Sequence, residues 1–404
     1  MEQVVVIGGG AAGMAAAIAT ADAGSSVVLL EGGKQPGKKI LSTGNGRCNL
    51  TNLVQTPSCY HTSEGQEEQT AWQVIRRFGC EETKQFFGSL GLYFKNRDGY
   101  LYPRSSQAQT VLSALVEGME QRRVDVRTEA KVCGIEKRED GFLVRTAEQS
   151  VPADRVILCC GGMAAPATGS DGNGYALAKA FGHQVNPPLP ALVPLYGETG
   201  PLKKAAGVRT DGRITLLVNG RKAASDTGEL QITDYGISGI PVFQVSRFAS
   251  IGLEKGETVE ARISFLPEYE EPETFLAQLW KKCGDTLLVL NGLFPEKLSI
   301  ALLKKAGIVL HAPMERIPEK KRAVLSALIT AYPMTVTKTG DFDRAQVTAG
   351  GVRLSEVDLL AMESKLVPGL QFAGEILDVD GICGGYNLQW AWASGVLAGK
   401  RGNL

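Results

Sequence analysis

Histidine is scarce in this sequence. Three of the 404 residues are histidine, at His61, His183 and His311, which is too few and too scattered for a zinc or di-iron centre built on histidine. Cysteine occurs eight times, yet no two cysteines have the C-x-x-C spacing that is typical of zinc sites and redox-active disulfides. We therefore expect no metal site and reduced cysteines.

The chain also lacks a charge excess and a long apolar run. Lysine and arginine number 43, as do aspartate and glutamate, so no net charge attracts nucleic acid or anionic lipid. No apolar stretch approaches the ~18 residues of a membrane span, and no basic leader precedes Val4. These absences predict a cytoplasmic protein whose partner is a small-molecule substrate, with no nucleic acid and no membrane.

Glycine is present in excess. The chain has 48 glycines, where a protein of average composition and this length would have roughly 28. No collagen-like period accounts for them, so they predict loops in which the backbone closely approaches a ligand. At roughly 150 residues per domain, the length predicts two or three domains.

The amino-terminal segment has the pattern of a β-α-β unit. A buried strand is predicted at Val4–Ile7, a turn of sequence G-x-G-x-x-G at Gly8–Gly13, and a helix at Ala11–Ala23. A second strand follows at Val27–Leu30 and ends in Glu31. The combination predicts dinucleotide binding, and the alternative is a glycine-rich turn in another α/β protein.

Each residue of this motif has an expected role. Gly8 allows the tight turn, Gly10 allows a pyrophosphate to approach the helix, and Gly13 lets the helix pack on the strand. Glu31 would accept hydrogen bonds from ribose hydroxyls, and its charge disfavours a 2′-phosphate there.

A second glycine-rich segment follows immediately. Gly32 to Lys38 fits the first seven positions of a Walker A loop, but Lys39 stands where that motif needs Ser or Thr, so we interpret the match as coincidence. Residues 37–52 are polar and glycine-rich, which predicts a loop along a bound anion, with Ser42, Arg47 and Cys48 among the contacts. The alternative is an ordinary mobile surface loop.

Two later segments add further ligand contacts. Strands are predicted at Val124–Val132, Gly141–Thr146 and Ala153–Cys160, and the last runs into Gly161, where the chain would pass under a cofactor. Near the carboxyl end, a strand ends in Gly374-Glu375, and a glycine-rich loop with Tyr386 precedes a helix at Gln389–Ala398. Such a helix terminus favours an anion or carbonyl ligand.

Five motifs together resemble the BaiN-like flavoproteins, a family of FAD-dependent oxidoreductases that includes aminoacetone-oxidase-like members. The motifs are GGGAAG with Glu31, GKKILSTGNGRCNLTN, Gly350-Gly351-Val352, GLQFAGEILDVDG and CGGYNLQWAWASG. The resemblance covers the whole chain and implies FAD, bound in a fold of the two-dinucleotide-binding-domain flavoprotein type. It implies the following contacts to the adenosine, pyrophosphate and flavin: Ala12, Glu31, Gly32, Lys39, Asn45 and Gly46, with Val132 at the adenine and Glu375, Asn387 and Leu388 at the ribityl chain and isoalloxazine.

The middle of the chain is predicted to be an insertion. A proline-rich stretch near residue 190 marks the boundary, and Asn219-Gly220 predicts a tight hairpin. Further strand-like runs include Val242–Val245, and helical periodicity occurs at Phe275–Cys283, Pro295–Ala306 and Pro318–Leu328. We therefore predict an α/β, Rossmann-like FAD-binding domain (1–190 and 335–404) with an inserted β-rich subdomain (191–270) and a small helical subdomain (271–334). The insertion either covers the isoalloxazine or is purely structural.

The resemblance implies an FAD-dependent oxidoreductase. Family members are described as C=C reductases in bile-acid breakdown or as amine oxidases, so we expect NAD(P)H-linked reduction of a C=C bond in a small hydrophobic or steroid-like substrate. The alternatives are an oxygen-linked amine oxidase, an NAD-dependent dehydrogenase, and a non-catalytic flavin-binding or RNA-binding module. No second complete G-x-G-x-x-G unit exists, so NAD(P)H would dock transiently. The motifs assign no catalytic acid or base.

Overall fold

The computed structural model of the protein describes residues 1–63, 68–281 and 284–403. The described strands are β1 Gln3–Ile7, β2 Ser26–Leu30, β3 Thr51–Asn52, β4 Tyr60–His61, β5 Phe94–Arg97, β6 Tyr100–Pro103, β7 Asp125–Arg127, β8 Val132–Arg138, β9 Gly141–Thr146, β10 Ser150–Ala153, β11 Arg155–Leu158, β12 Val185–Ala191, β13 Leu195–Gly197, β14 Arg209–Val218, β15 Arg221–Ile232, β16 Gly236–Ser238, β17 Val259–Ser264, β18 Tyr332–Thr339, β19 Val347–Val352, β20 Val357–Asp358, β21 Glu363–Ser364, β22 Leu370–Phe372 and β23 Asp380–Gly381.

The α-helices vary from six to 15 residues. They are α1 Ala11–Asp22, α2 Glu68–Ile75, α3 Cys80–Ser89, α4 Ala108–Gln121, α5 Asn173–Ala180, α6 Ile240–Glu254, α7 Pro272–Leu279, α8 Thr286–Asn291, α9 Glu296–Lys305, α10 Glu319–Ala331 and α11 Tyr386–Gly399. Among the residues that the structure describes, no helix is both long enough and apolar enough to cross a membrane.

The chain forms two compact units. The first comprises Met1–Leu189 and Gln346–Leu404, and the second comprises Pro190–Ala345. A seven-stranded sheet in the order β20-β21-β22-β11-β1-β2-β7 organises the first unit, and its members from β22 to β7 pair in parallel. The apolar runs of β1 and β2 are buried, as expected for a parallel sheet covered on both faces. The Rossmann-like prediction is confirmed.

Two helices from opposite ends of the sequence pack together in the first unit. A Cβ atom added to Gly395 of α11 would lie 2.5 Å from the carbonyl oxygen of Ala12 in α1, and one added to Gly399 would lie 2.7 Å from that of Ala16. Only glycine allows the two backbones to approach this closely. The carboxyl-terminal helix is therefore part of the core of the first unit.

The second unit contains a closed six-stranded barrel. Its strand order is β13-β16-β15-β14-β17-β18, and the long hairpin β14–β15 supplies most of one wall. Asn219 and Gly220 both have positive φ, at 49° and 75°, as a type I′ turn requires. The apolar barrel interior and helices α7 to α10 share one hydrophobic core.

Three predictions for the insertion differ from the structure. The first unit resumes at Gln346 and not at residue 335, because β18 pairs with β17 and β13 and so completes the barrel. The strand predicted at Val242–Val245 is wrong: these residues lie in α6, which follows Gly239 and carries Pro241 in its first turn. The helix predicted to end at Cys283 ends at Leu279, and residues 282 and 283 lie outside the described ranges.

His183 links three segments of the first unit from a buried position. Its Nδ1 lies 2.9 Å from a carboxylate oxygen of Glu356, and its Nε2 lies 2.7 Å from the hydroxyl of Ser364. That hydroxyl also accepts hydrogen bonds from the backbone N–H groups of Leu366 and Val367. Burial lowers the pKa of His183, and the neighbouring Glu356 only partly opposes this shift.

We expect His183 to make the stability of the protein fall in mild acid. As the pH falls below about 6.5, His183 becomes protonated in the unfolded chain but stays neutral in the folded protein, where its pKa is lower. The free energy of unfolding therefore decreases by up to ~1.4 kcal/mol for each pH unit. Urea denaturation at pH 7 and at successively lower pH should show this slope, and His183→Gln should reduce it. His311→Gln is the matched control, because that side chain is exposed. An identical slope in His183→Gln and wild type would contradict the assignment.

Candidate functional site

A cavity of about 850 Å³ lies in the first unit, beyond the carboxyl ends of β1, β2 and β11. This edge of a parallel α/β sheet is where such folds bind their ligands. The volume is in the range of sites that enclose a cofactor. The cavity is therefore the candidate site.

The turn between β1 and α1 forms one wall of the cavity. Gly8 has φ of 103°, and a Cβ there would lie 2.5 Å from the carbonyl oxygen of Cys159. A Cβ on Gly13 would lie 1.8 Å from the carbonyl oxygen of Gly8. The positive φ of Gly8 agrees with the predicted tight turn, and the close contact at Gly13 agrees with its predicted packing role. A Cβ on Gly10 would meet no protein atom within 4 Å, so Gly10 faces open space at the start of α1.

Glu31 holds two loops of the site together. One carboxylate oxygen accepts a hydrogen bond of 2.7 Å from the N–H of Gly9, and the other accepts one of 2.6 Å from the N–H of Gly33. The sequence predicts only the contact to ribose for this residue. The carboxylate therefore also fixes the shape of the loops around the cavity.

Lys39 and Glu375 form an ion pair across the cavity wall. Their Nζ and Oε2 atoms are 2.7 Å apart, and both side chains are largely buried. The other oxygen of Glu375 accepts a hydrogen bond of 2.9 Å from the N–H of Thr348, whose hydroxyl accepts from the N–H groups of Met163 and Ala164. This network ties β19 to the loops on both sides of the cavity.

Helix α11 begins at Tyr386, three residues before the predicted start. Gly385, with φ of 94°, precedes it, and no side chain caps this end of the helix. Asn387 therefore lies inside the first turn. Its side-chain oxygen accepts from the N–H of Gly381 at 2.7 Å, and its NH₂ group donates to the carbonyl of the same residue at 2.8 Å.

The structure brings most of the predicted cofactor residues together. The following predicted residues line the cavity: Gly8, Gly10, Ala12, Glu31, Gly32, Lys39, Val132, Gly161, Gly374, Glu375, Asn387 and Leu388. Gly13 lies behind Gly8, and Tyr386 is buried with its hydroxyl donating to the carbonyl of Val54. These predicted lining residues come from six separate segments of the chain and meet at one site.

The second glycine-rich segment only partly reaches the cavity. Residues 40–46 coil into a kinked 3-10 turn that buries Ile40 and exposes Ser42, Asn45, Gly46 and Arg47. Cys48 is fully buried, and burial raises the pKa of its thiol to about 12, so it is not a reactive thiolate. These five predicted contacts, Ser42 and Asn45 to Cys48, lie outside the cavity lining, because the turn directs them elsewhere.

Comparison with known proteins identifies the family. The sequence profile described as "HI0933-like protein Rossmann domain" matches residues 2–401. The chain belongs to this family. The HI0933-like flavoproteins bind FAD and are oxidoreductases, so the predictions of FAD and of an enzyme are confirmed.

Two curated relatives and one solved structure resemble this HI0933-like flavoprotein over nearly its whole length. The "3-dehydro-bile acid delta(4,6)-reductase" of Clostridium scindens is 47% identical over 99% of this chain and 98% of its own. The "ribosomal RNA dihydrouridine synthase" of Escherichia coli is 31% identical over 96% of this chain and 95% of its own. A flavocytochrome c3 fumarate reductase structure covers 99% of this chain and 78% of its own, with a TM-score of 0.50 and 16% identity, and so shares the fold.

The cavity of this HI0933-like flavoprotein fits FAD on its own geometry. No side chain caps the amino terminus of α1, so its first N–H groups are free to bind a pyrophosphate. The open space at Gly10 leaves room for that group. Glu31 stands at the end of β2, where a carboxylate can reach a ribose.

We expect Glu31→Ala to weaken FAD binding without unfolding the protein. The variant loses both backbone contacts of the carboxylate and its bond to ribose, a loss of about 1 to 3 kcal/mol, or roughly five- to 150-fold in Kd. Titration of the apoprotein with FAD, followed by quenching of flavin fluorescence, measures this. Glu148→Ala, at an exposed turn, is the matched control. An unchanged Kd in Glu31→Ala would contradict the prediction.

Sequence reasoning missed one wall of the cavity of this HI0933-like flavoprotein. The missed lining residues include Lys131, Pro166 to Asp171, Asn173 and Gln346, whereas Lys38 and Thr43 belong to the predicted ligand loop of residues 37–52. Lys131 pairs with Asp171, and the side chain of Asn173 donates to the carbonyl of Val132 at 2.9 Å. No local pattern marks these residues, since long-range contacts alone bring them to the site.

Proposed function

We propose that this protein reduces a C=C bond conjugated with a carbonyl in a steroid-like substrate, with NAD(P)H as the reductant. The carrying observation is the 47% identity, across 99% of the chain, to an enzyme named as a 3-dehydro-bile acid delta(4,6)-reductase. In the net reaction the donor gives up a hydride, the solvent supplies a proton, and both add across the double bond. NAD(P)+ and the saturated product leave.

Different residues of the cavity would bind different parts of FAD. The turn from Gly8 to Gly10 would bind the pyrophosphate, Glu31 the adenosine ribose, and Val132 the adenine. Glu375 would lie beside the ribityl chain, and Asn387 and Leu388 beside the isoalloxazine. Bound FAD supplies hydride chemistry, while the protein supplies position and electrostatics.

The network around Glu375 would fix this arrangement before the substrate arrives. Lys39 balances the charge of Glu375, and Thr348 aligns the carboxylate through a backbone N–H. The amide of Asn387 is held by both backbone groups of Gly381, so the first turn of α11 is rigid. Side chains that are already ordered lose little entropy when the substrate binds, so the reacting groups are held in position for hydride transfer at a small entropic cost.

Single-turnover reduction tests the proposal. The holoenzyme is reduced anaerobically with dithionite and mixed with a 3-oxo steroid acid that carries conjugated C=C bonds at positions 4 and 6. We expect the flavin absorbance to return in step with loss of the conjugated chromophore and gain of two hydrogens in the product. Flavin that stays reduced in the presence of this substrate would overturn the proposal.

The relatives named as ribosomal RNA dihydrouridine synthases suggest a second candidate function, which is reduction of a uracil ring in RNA. Their 31% identity over nearly the full chain favours a uracil ring, whose C=C bond is also conjugated with a carbonyl. A uridine-containing RNA fragment is therefore the second arm of the same experiment. Reoxidation by this fragment and not by the steroid would assign the second function.

A further inference from the structure

A surface of the first unit combines unpaired cations with exposed tyrosines. It lies on the antiparallel sheet β3-β6-β5 and the neighbouring turn. We call it the basic tyrosine surface, and its members are Arg47, Tyr93, Lys95, Arg97, Tyr100, Tyr102 and Arg104. The cofactor cavity contains none of them.

Strand register places the central members on one face. Lys95 of β5 stands directly opposite Tyr102 of β6, and Arg97 stands directly opposite Tyr100. Residues directly opposite in a sheet point to the same side. Leu101, between the two tyrosines, is buried on the other side. The hairpin thus presents alternating rings and cations to solvent.

The cations of this surface have no acidic partner. Among the described side chains, no carboxylate forms an ion pair with Arg47, Lys95, Arg97 or Arg104. The guanidinium of Arg97 instead lies 5.9 Å from the ring centre of Tyr102. Partial burial, and then the charges of Arg97, Arg104 and Arg47, lower the pKa of Lys95. Mutual repulsion of this kind costs stability, and a bound polyanion would relieve it.

The tyrosines offer ring surface for stacking. Tyr93 is 79% exposed and Tyr100 is 40% exposed, although large aromatic side chains are usually buried. Nucleobases stack favourably on such rings. Rings beside arginines therefore suit a ligand that has both a base and phosphates.

The surface adjoins one part of the cavity. Tyr102 lies next to Gly44, whose neighbour Thr43 lines the cavity, and Tyr100 lies against Gly384, three residues before Asn387. In the proposed function this part of the cavity belongs to the isoalloxazine. A nucleotide bound on the surface would therefore lie near the site of hydride transfer.

We propose that the basic tyrosine surface binds the adenosine phosphates of the reductant, and that the reductant is NADPH in preference to NADH. This inference rests on the proposed function. The pyrophosphate and 2′-phosphate of NADPH carry about four negative charges, which match the four cations, whereas NADH lacks the 2′-phosphate. Sites that select NADH place a carboxylate at the 2′-hydroxyl. The strand residues that share this face of the hairpin are cations and tyrosines, and Asp98 lies in the turn between β5 and β6.

Binding of 2′,5′-ADP to the holoenzyme is the direct test. Calorimetry should show binding to the wild type, and Lys95→Ala combined with Arg97→Ala should weaken it at least tenfold. Arg221→Ala combined with Lys222→Ala, at the exposed start of β15 in the second unit, is the matched control and should bind as wild type. 5′-AMP, which lacks the 2′-phosphate, should bind more weakly than 2′,5′-ADP. Equal affinity of 2′,5′-ADP for the wild type and the Lys95/Arg97 variant would overturn the inference.

Anaerobic reduction of the flavin by the two donors is the second test. The half-saturating concentration for reduction of the wild-type flavin should be lower for NADPH than for NADH. In the Lys95/Arg97 variant the half-saturating concentration of NADPH should rise at least tenfold, so that the preference is lost, while the limiting rate of flavin reduction should not change. Equal use of both donors by the wild type would overturn the inference.

The dithionite experiment separates the two proposals. If the reduced holoenzyme converts the steroid but 2′,5′-ADP does not bind, this inference fails and the proposed function stands. If the steroid is not converted, the proposed function fails. A third outcome is that the wild type binds a uridine-rich RNA but does not bind 2′,5′-ADP, and that the Lys95/Arg97 variant does not bind the RNA. This outcome would make RNA the occupant of the surface and overturn the inference.

Discussion

Replacing Gly10 with valine is expected to leave the protein folded and free of FAD. The backbone at Gly10 has φ of −79° and ψ of −168°, an extended conformation that valine adopts readily. Since no protein atom lies within 4 Å of a Cβ there, the added methyl groups occupy space intended for the pyrophosphate. We expect the Kd for FAD to rise by more than about 100-fold, or roughly 2.7 kcal/mol.

The ratio of flavin to protein absorbance in the purified variant measures this effect, and circular dichroism shows that the fold is retained. Gly134→Val is the matched control, since a Cβ at that position also meets no atom within 4 Å but lies outside the cavity. It should retain FAD as the wild type does. Wild-type flavin content in Gly10→Val would show that the pyrophosphate lies elsewhere.

Replacing Arg155 with alanine is expected to destabilise the first unit strongly. The side chain is 1% exposed, and its guanidinium donates to the side-chain oxygen of Gln371 and to the carbonyl of Ala398. It thereby joins β11, β22 and α11. The cavity lining begins directly after the two strands, at Cys159 and Ala373, and α11 itself lines the cavity. Truncation leaves a void and unsatisfied acceptors, and we expect a loss of about 3 to 5 kcal/mol in the free energy of unfolding.

Urea denaturation followed by tryptophan fluorescence detects this loss, because Trp72, Trp390 and Trp392 all lie in the first unit. Arg145→Ala is the matched control: that arginine pairs with Glu136 at the surface, and its removal should cost less than ~1 kcal/mol. Equal effects of the two substitutions would mean that the buried contacts of Arg155 contribute nothing.

Local signals in the sequence predicted the first β-α-β unit almost to the residue. Strand β1 begins one residue before the prediction and α1 ends one residue before it, because apolar runs and glycines determine both locally. The strand predicted at Val124–Val132 is instead divided between β7 and β8. Glu129 has positive φ there, and its N–H bonds to the carbonyl of Gly33, nearly a hundred residues away. No local pattern contains that contact.

The sequence predicts only part of the site, because local signals mark some of its residues and long-range contacts position the others. Glycines that need special backbone geometry, such as Gly8, are visible in a motif, and so is an acid at the end of a strand. The sequence does not show in which direction a side chain on a 3-10 turn points. The predicted ligand contacts of Ser42 and Arg47 therefore differ from the structure, in which both side chains are exposed outside the cavity lining. The start of α11 had a signal in Gly385, because glycine readily occupies the positive φ found there.

The contact between α1 and α11 has a consequence for biosynthesis. A ribosome releases α1 before the barrel from β13 to β18, and it releases α11 only after the whole barrel. The barrel therefore has all of its strands while the parallel sheet still lacks β22 and its covering helix. Residues Gly374 and Asn387 also arrive only at that late stage. The cofactor site is thus completed only after the barrel, although its first residues precede the barrel in the sequence.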